Sequence, residues 1–180
     1  AIASILKHGA KSFSSIGNAK SAGTKLVCLD SLFKNPGVYE MDMGTPMKKI
    51  IYDIGGGFVE PVKALQVGGP LGGVIPIKEV EKLNLDFQEF TNAGFMLGHG
   101  SIVSIPENFN MIEYIHHLFK FTAEESCGKC FPGRLGSYRG KEMFDQAVNK
   151  TNKIPIKLLN ELLVTMKKGS LCALCGAIPS

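Results

Sequence analysis

The chain has 180 residues, of which 44% are hydrophobic and 20% charged, and it carries a net charge of +4. This composition is ordinary for a soluble globular protein, and the length suffices for one sizeable domain or two small ones. The basic residues are spread along the chain without a run of like charge, so we expect no nucleic-acid binding. No apolar stretch approaches the roughly 18 to 20 residues of a membrane span, so we expect no membrane insertion.

Residues 1–25 carry lysine and serine but no acidic residue, a pattern that also occurs in targeting peptides. Apolar and basic positions alternate from residue 5 to residue 13, and this favours an ordinary surface helix. We therefore interpret residues 1–22 as a helix that precedes the first domain.

Residues 23–105 contain short, glycine-bounded strand patterns around one helix, which predicts an α+β domain of the ubiquitin-like β-grasp type. Residues 24–30 suit a strand, in which we expect Cys28 to be a small buried side chain rather than a ligand. Further strands are predicted at residues 63–69 and 94–105.

The helix of this domain is predicted from its punctuation. Thr45 can cap it, Pro46 suits its first position, and Gly55 is a natural end. The glycine-rich stretch at residues 67–76 could cradle a phosphate, but it lacks the spacing of known phosphate loops, and a tight loop is the simpler interpretation.

Residues 106–180 change to helical periodicity and are interpreted as a small helical bundle. Helices are predicted within residues 108–125, 141–150 and 155–169, where apolar residues recur on one face. The tail around residues 172–175 is expected to be non-helical.

Five cysteines are present, and four of them form two CxxC pairs: Cys127 with Cys130, and Cys172 with Cys175. An odd number of cysteines, with four of them in CxxC pairs, favours metal binding or redox chemistry in a reducing compartment over a disulfide framework. Four thiolates from two pairs can hold a structural zinc ion or an iron–sulfur cluster. Spacing alone does not separate these two, and a redox dithiol or unrelated buried thiols also stay open.

The segment ESCGKCFPGRLGSYRG at residues 125–140, followed by SLCAL at residues 170–174, resembles the cluster-binding part of the NADH-oxidising flavoprotein subunits. This family includes subunits of respiratory complex I, NAD-linked nickel–iron hydrogenases and NAD-dependent formate dehydrogenases. Residues 23–57 and 68–76 resemble the soluble-ligand-binding β-grasp domain of the same family. The resemblance covers nearly the whole chain.

The resemblance implies an electron-transfer module with a 4Fe–4S cluster. It also implies a thioredoxin-like iron–sulfur subunit and a larger catalytic or cluster-bearing subunit as partners. The family's FMN- and NAD-binding domain has no counterpart here, so we expect a fragment of a longer subunit that is not active alone. The expected location is cytoplasmic, with the matrix side of a mitochondrial membrane as the alternative. Formate, hydrogen and quinone all remain possible terminal substrates.

The chain departs from the family pattern at two positions. The family's third ligand falls on Gly133 and its fourth on Cys172, whereas Cys175 stands where the resemblance leads us to expect glycine. We predict that Cys175 takes over as a ligand, so that the cluster is held by Cys127, Cys130, Cys172 and Cys175. A cysteine at position 133 in the native ligand set is the alternative.

Two basic residues, Lys129 and Arg134, are candidates for tuning the potential of the cluster, and solvated surface charges are the alternative. The rival function is a zinc-stapled docking module without a redox role.

Overall fold

The computed structural model describes residues 1–70 and 72–179. These residues form two compact units, which are divided between Glu107 and Asn108. The first unit mixes helices with a five-stranded sheet, and the second consists of helices. Among the described residues, no strand follows Pro106, as the change in periodicity predicted. No helix in residues 1–70 or 72–179 is both long and apolar enough to cross a bilayer.

The N-terminal segment forms two short helices, α1 (Ile2–His8) and α2 (Ala10–Ser14), where one was predicted. Gly9 separates them with φ 86°, a backbone conformation that interrupts the helical hydrogen bonds and that glycine adopts without strain.

The sheet contains five strands in the order β2-β1-β5-β3-β4. The strands are β1 (Thr24–Leu29), β2 (Gly37–Asp42), β3 (Val62–Val67), β4 (Val74–Pro76) and β5 (Ser101–Pro106). Strands β1 and β5 are parallel, and the other neighbours are antiparallel. The parallel pair lies at the centre, where Leu29 opposes Ile102 and both are buried.

The core of the first unit lies between one face of the sheet and its helices. These helices are α3 (Met47–Lys49), which continues as a π-helical turn (Ile50–Ile54), α4 (Ile77–Val80) and α5 (Phe87–Asn92). Met47, Ile50 and Ile51 are almost fully buried in this core.

The predicted cap of α3 is wrong. Pro46 occupies the N-cap, and the Thr45 hydroxyl donates to the carbonyl of Asp42 at 2.7 Å instead of capping the helix.

Cys28 is exposed, so the prediction that it is buried is wrong. Successive side chains of a strand point to opposite faces of the sheet. Because Val27 and Leu29 both face the core, Cys28 faces the other side, opposite Val38 of β2.

Within its described residues, the second unit contains four helices, α6 (Met111–Glu125), α7 (Ser137–Val148), α8 (Ile156–Gly169) and α9 (Ala173–Ala177). A π-helical turn, Pro132–Gly136, leads directly into α7. The three longer helices overlap the three segments that were predicted to be helical, although Ile112 and Ile156 on their predicted apolar faces are exposed. The prediction of a non-helical tail is wrong, because Cys172 is the N-cap of α9 and the Ala-Leu pair that follows it favours a helix.

Helices α6 and α7 pack closely together at Gly140. A side chain on Gly140 would overlap the ring of Phe119, which stacks on Phe144 with ring centroids 5.5 Å apart. At the edge of this contact, Asp145 accepts hydrogen bonds from His116 at 2.6 Å and Lys141 at 2.7 Å. This packing fixes the two helices on either side of the loop that carries the first cysteine pair.

Candidate metal centre

The first cysteine pair lies in the loop that leaves α6. Ser126 ends the helix, and its hydroxyl accepts the N–H of Gly128 at 3.3 Å. Gly128 has φ 70°, which side chains disfavour, so glycine allows the tight turn between the cysteines. Within this turn Cys127 is exposed and Cys130 is half-buried.

The second pair lies at α9. Cys172 is exposed at the helix N-cap, whereas Cys175, the third residue of the helix, is only 1% exposed. Cys175 belongs to the same apolar cluster as Phe119, Phe144 and Met166, so the core of this unit holds it in place.

The two segments meet at Gly133. A Cβ atom built on Gly133 would lie 2.9 Å from the Cys130 sulfur and 3.1 Å from the Cys175 sulfur. Since both sulfurs lie within these distances of one point, they are at most 6.0 Å apart. The Cys175 sulfur also lies 3.8 Å from the Ser126 hydroxyl, which ties α9 to the first loop.

Hydrogen bonds favour ionisation of Cys130. The backbone N–H groups of Leu171 and Gly133 donate to its sulfur and lower the pKa of this thiol below the usual value of 9.0. The bond from Leu171 also joins the second segment to the first. Cys130 is therefore prepared to act as a thiolate, which is the form that binds metals.

Cys175 has the opposite electrostatics. Burial raises the pKa of its thiol, the Ser126 hydroxyl lowers it in part, and negative charge on Cys172, Cys130 and Cys127 raises it further. Each of these three thiols is therefore close enough to Cys175 to influence its charge. Without a positive partner, Cys175 stays protonated at neutral pH.

The two candidate tuning residues lie on the surface of the first loop. Lys129 and Arg134 are exposed, and the Arg134 guanidinium stacks over the Phe131 ring at 5.2 Å from its centroid. The stem of Arg134 runs past Gly128, 3.6 Å from where a Cβ would stand. Arg134 is thus held beside the loop.

The arrangement brings Cys130 and Cys175 together and leaves Cys127 and Cys172 exposed near them. In the described part of the chain, no three His, Cys, Asp or Glu side chains are grouped so as to hold a single metal ion. Cysteine thiolates are ligands of iron–sulfur clusters and of structural zinc ions, so the chemistry of these donors suits such a centre. Sequence reasoning missed Ser126 and the Leu171 N–H, although both stand directly beside a cysteine in the sequence.

Comparison with known proteins places this site in a defined region. Residues 113–180 match the family described as the NADH-ubiquinone oxidoreductase-F iron–sulfur binding region. Over 99% of its length, the chain is 34% identical to the NADP-reducing hydrogenase subunit HndC of Solidesulfovibrio fructosivorans. It is 32% identical over 98% of its length to an NADH-quinone oxidoreductase subunit of Rickettsia bellii.

The fold is also similar to that of a solved protein. An NAD+-reducing NiFe-hydrogenase in the air-oxidized state superimposes on 99% of the chain with a TM-score of 0.84 and 26% identity. The chain covers 31% of that hydrogenase chain, 37% of the HndC protein and 43% of the Rickettsia protein. It therefore spans about two-fifths or less of the length of these proteins.

Proposed function

Because the chain belongs to the family of the NADH-oxidising flavoprotein subunits, we propose that it is an electron-transfer module that holds a 4Fe–4S cluster. One observation carries the proposal. The sulfurs of Cys130 and Cys175, from segments more than forty residues apart, lie at most 6.0 Å from each other within the region that matches the family. A buried thiol facing a thiol of lowered pKa is a poor arrangement for apolar packing and a suitable one for binding a cationic centre.

We propose Cys127, Cys130, Cys172 and Cys175 as the ligands. When bound, the cluster supplies reversible one-electron transfer. Around it, the N–H groups of Leu171 and Gly133 stabilise negative charge on sulfur, and burial around Cys175 excludes water from one side. Hydrogen bonds to sulfur and exclusion of solvent are two of the means by which a protein sets the potential of such a centre.

The complete protein is proposed to be a subunit of an NAD(H)-linked oxidoreductase of the complex I, hydrogenase or formate dehydrogenase type. Electrons would pass between FMN, bound in a part of the protein outside this chain, and the clusters of partner subunits. The proposed partners are a thioredoxin-like iron–sulfur subunit and a larger catalytic or cluster-bearing subunit, in the cytoplasm. The strand order β2-β1-β5-β3-β4 supports a β-grasp domain, and the helices of the second unit are proposed to form a small bundle.

The test is metal analysis of the chain purified without oxygen and reconstituted with iron and sulfide. We expect about four iron and four acid-labile sulfide per chain, with an EPR signal on reduction. Cys130→Ser should abolish retention of the cluster, whereas Cys28→Ser, which alters the exposed thiol of the other unit, should not. Stoichiometric zinc without sulfide would contradict the proposal and favour a zinc-stapled docking module.

A further inference from the structure

We infer that Cys175 is the fourth cluster ligand and that glycine at position 133 leaves room for its side chain. A cysteine at position 133 and one at position 175 could then not both be ligands. This inference rests on the proposed function and deepens it. It predicts two ligands from each segment.

The first step concerns Gly133. Glycine is often required by a positive φ, but Gly133 lies in the π-helical turn Pro132–Gly136, and its φ is not among the positive ones. The residues on either side of this turn have ordinary helical angles. The backbone conformation therefore does not require glycine, and the need for glycine at this point comes from space.

The space beside position 133 is occupied by two cysteine side chains. The atoms nearest to a Cβ at position 133 are the sulfurs of Cys130 and Cys175, and then the Cβ of Cys175 at 3.5 Å. Contacts of 2.9 and 3.1 Å are closer than side chains normally allow. The sulfurs of Cys130 and Cys175 thus together occupy the volume that a side chain at 133 would need, and Cys175 supplies two of the three nearest atoms.

The third step is the fixed position of Cys175. Its helix packs on the core of the second unit, where Cys175 clusters with Met166, and its sulfur meets the Ser126 hydroxyl. The carbonyl of Gly133 accepts the buried Ser137 hydroxyl at 2.6 Å, which holds the turn in place. Neither side of the contact can move away readily. On ligation, the Cys175 thiol loses its proton to solvent and forms a sulfur–iron bond.

The experiment uses the full chain, reconstituted without oxygen, in the parent and three variants. Cys175→Ser removes the proposed ligand with little change of volume. The double variant Gly133→Cys/Cys175→Ala moves the thiol from position 175 to position 133. Gly176→Ala is the control. A Cβ at position 176 meets atoms only at 3.6 and 4.0 Å, so this control perturbs the same helix without a clash. Iron and sulfide per chain, the Mössbauer spectrum and the half-life of the cluster in EDTA are measured.

We expect Cys175→Ser to shorten the half-life on the order of tenfold or more and to change the spectrum of one iron site. The double variant should regain four iron and a long half-life, and Gly176→Ala should behave as the parent. If Cys175→Ser keeps the parental spectrum and half-life, the inference is wrong although the proposed function stands. If the double variant does not recover while circular dichroism shows it folded, the exchange of positions is refuted. A parent chain that binds no iron and sulfide overturns both.

Discussion

The contact between α6 and α7 allows a prediction of stability that can be worked out atom by atom. In Gly140→Ala, the added methyl would overlap the Phe119 ring, whose Cζ lies 2.7 Å away with two other ring carbons closer still. Ordinary contact begins at 3.4 Å. The ring cannot move aside easily, because it is 2% exposed and stacks on Phe144.

The expected magnitude is a balance of two effects. Overpacking of a core costs up to about 3 kcal/mol, while replacing glycine by alanine inside a helix gains about 1 kcal/mol. We therefore expect Gly140→Ala to lower the free energy of unfolding of the second unit by about 2 kcal/mol. Gly136→Ala should cost less, because it meets the flexible Met166 side chain at 2.8 Å, and Gly176→Ala should cost nothing.

The assay is urea unfolding of the metal-free full chain, followed by hydrogen exchange of peptides from residues 108–179. These peptides report on the second unit alone, so unfolding of the first unit does not enter the comparison. The predicted order of stability is Gly176→Ala, then Gly136→Ala, then Gly140→Ala. If Gly140→Ala is as stable as Gly176→Ala, the Phe119 ring does not lie against position 140, and the close packing of α6 on α7 at this point is refuted.

Three further outcomes are expected. Asp30→Ala should destabilise the first unit by about 1–3 kcal/mol in urea titrations, because the Asp30 carboxylate accepts the Ser104 N–H at 2.6 Å and its hydroxyl at 3.0 Å; an unchanged midpoint would contradict this. Burial opposes ionisation of Asp86, but hydrogen bonds from Asn18 and neighbouring groups outweigh it and lower its pKa below 3.8. The ionised Asp86 carboxylate therefore stabilises the folded state above pH 3.8, and this stabilisation is lost as the pH falls through the pKa of Asp86 in the folded state. In Asn18→Ala, the urea concentration at the midpoint of unfolding should fall less steeply with decreasing pH. Titration of residues 1–180 with FMN or NADH in a calorimeter should show no micromolar binding, and heat of binding for either would refute the assignment of these sites to another part of the protein.

Helices and strands could be predicted from the local sequence where hydrophobic periodicity, or a glycine or proline at an element's end, marked them. The strand β1 follows from its alternation, and the same alternation would have corrected the prediction for Cys28, since its neighbours Val27 and Leu29 face the core. The break at Gly9 was missed because a single glycine in an otherwise helical pattern is often tolerated.

The site was only partly predictable. The four cysteines were found from their spacing, and their role as ligands stays a prediction. What sequence could not supply is the contact of Gly133 with the sulfurs of Cys130 and Cys175, because it depends on how α9 packs against the turn before α7. The burial of Cys175 is likewise a tertiary effect, as Cys172 in the same motif is exposed.

The hydrogen bond from the Leu171 N–H to the Cys130 sulfur joins two segments that lie far apart in the chain, so the chain between them forms a closed loop. Bringing the ends of the intervening loop of 41 residues together costs about 3 kcal/mol of chain entropy. In a zinc finger the ion itself bears this cost, and the apo chain is unfolded. Here Phe119, Phe144 and Met166 of helices α6, α7 and α8 pack in one apolar cluster with Cys175. Burial of this cluster offsets part of the chain entropy, so a bound centre has less of it to offset than the ion of a zinc finger has.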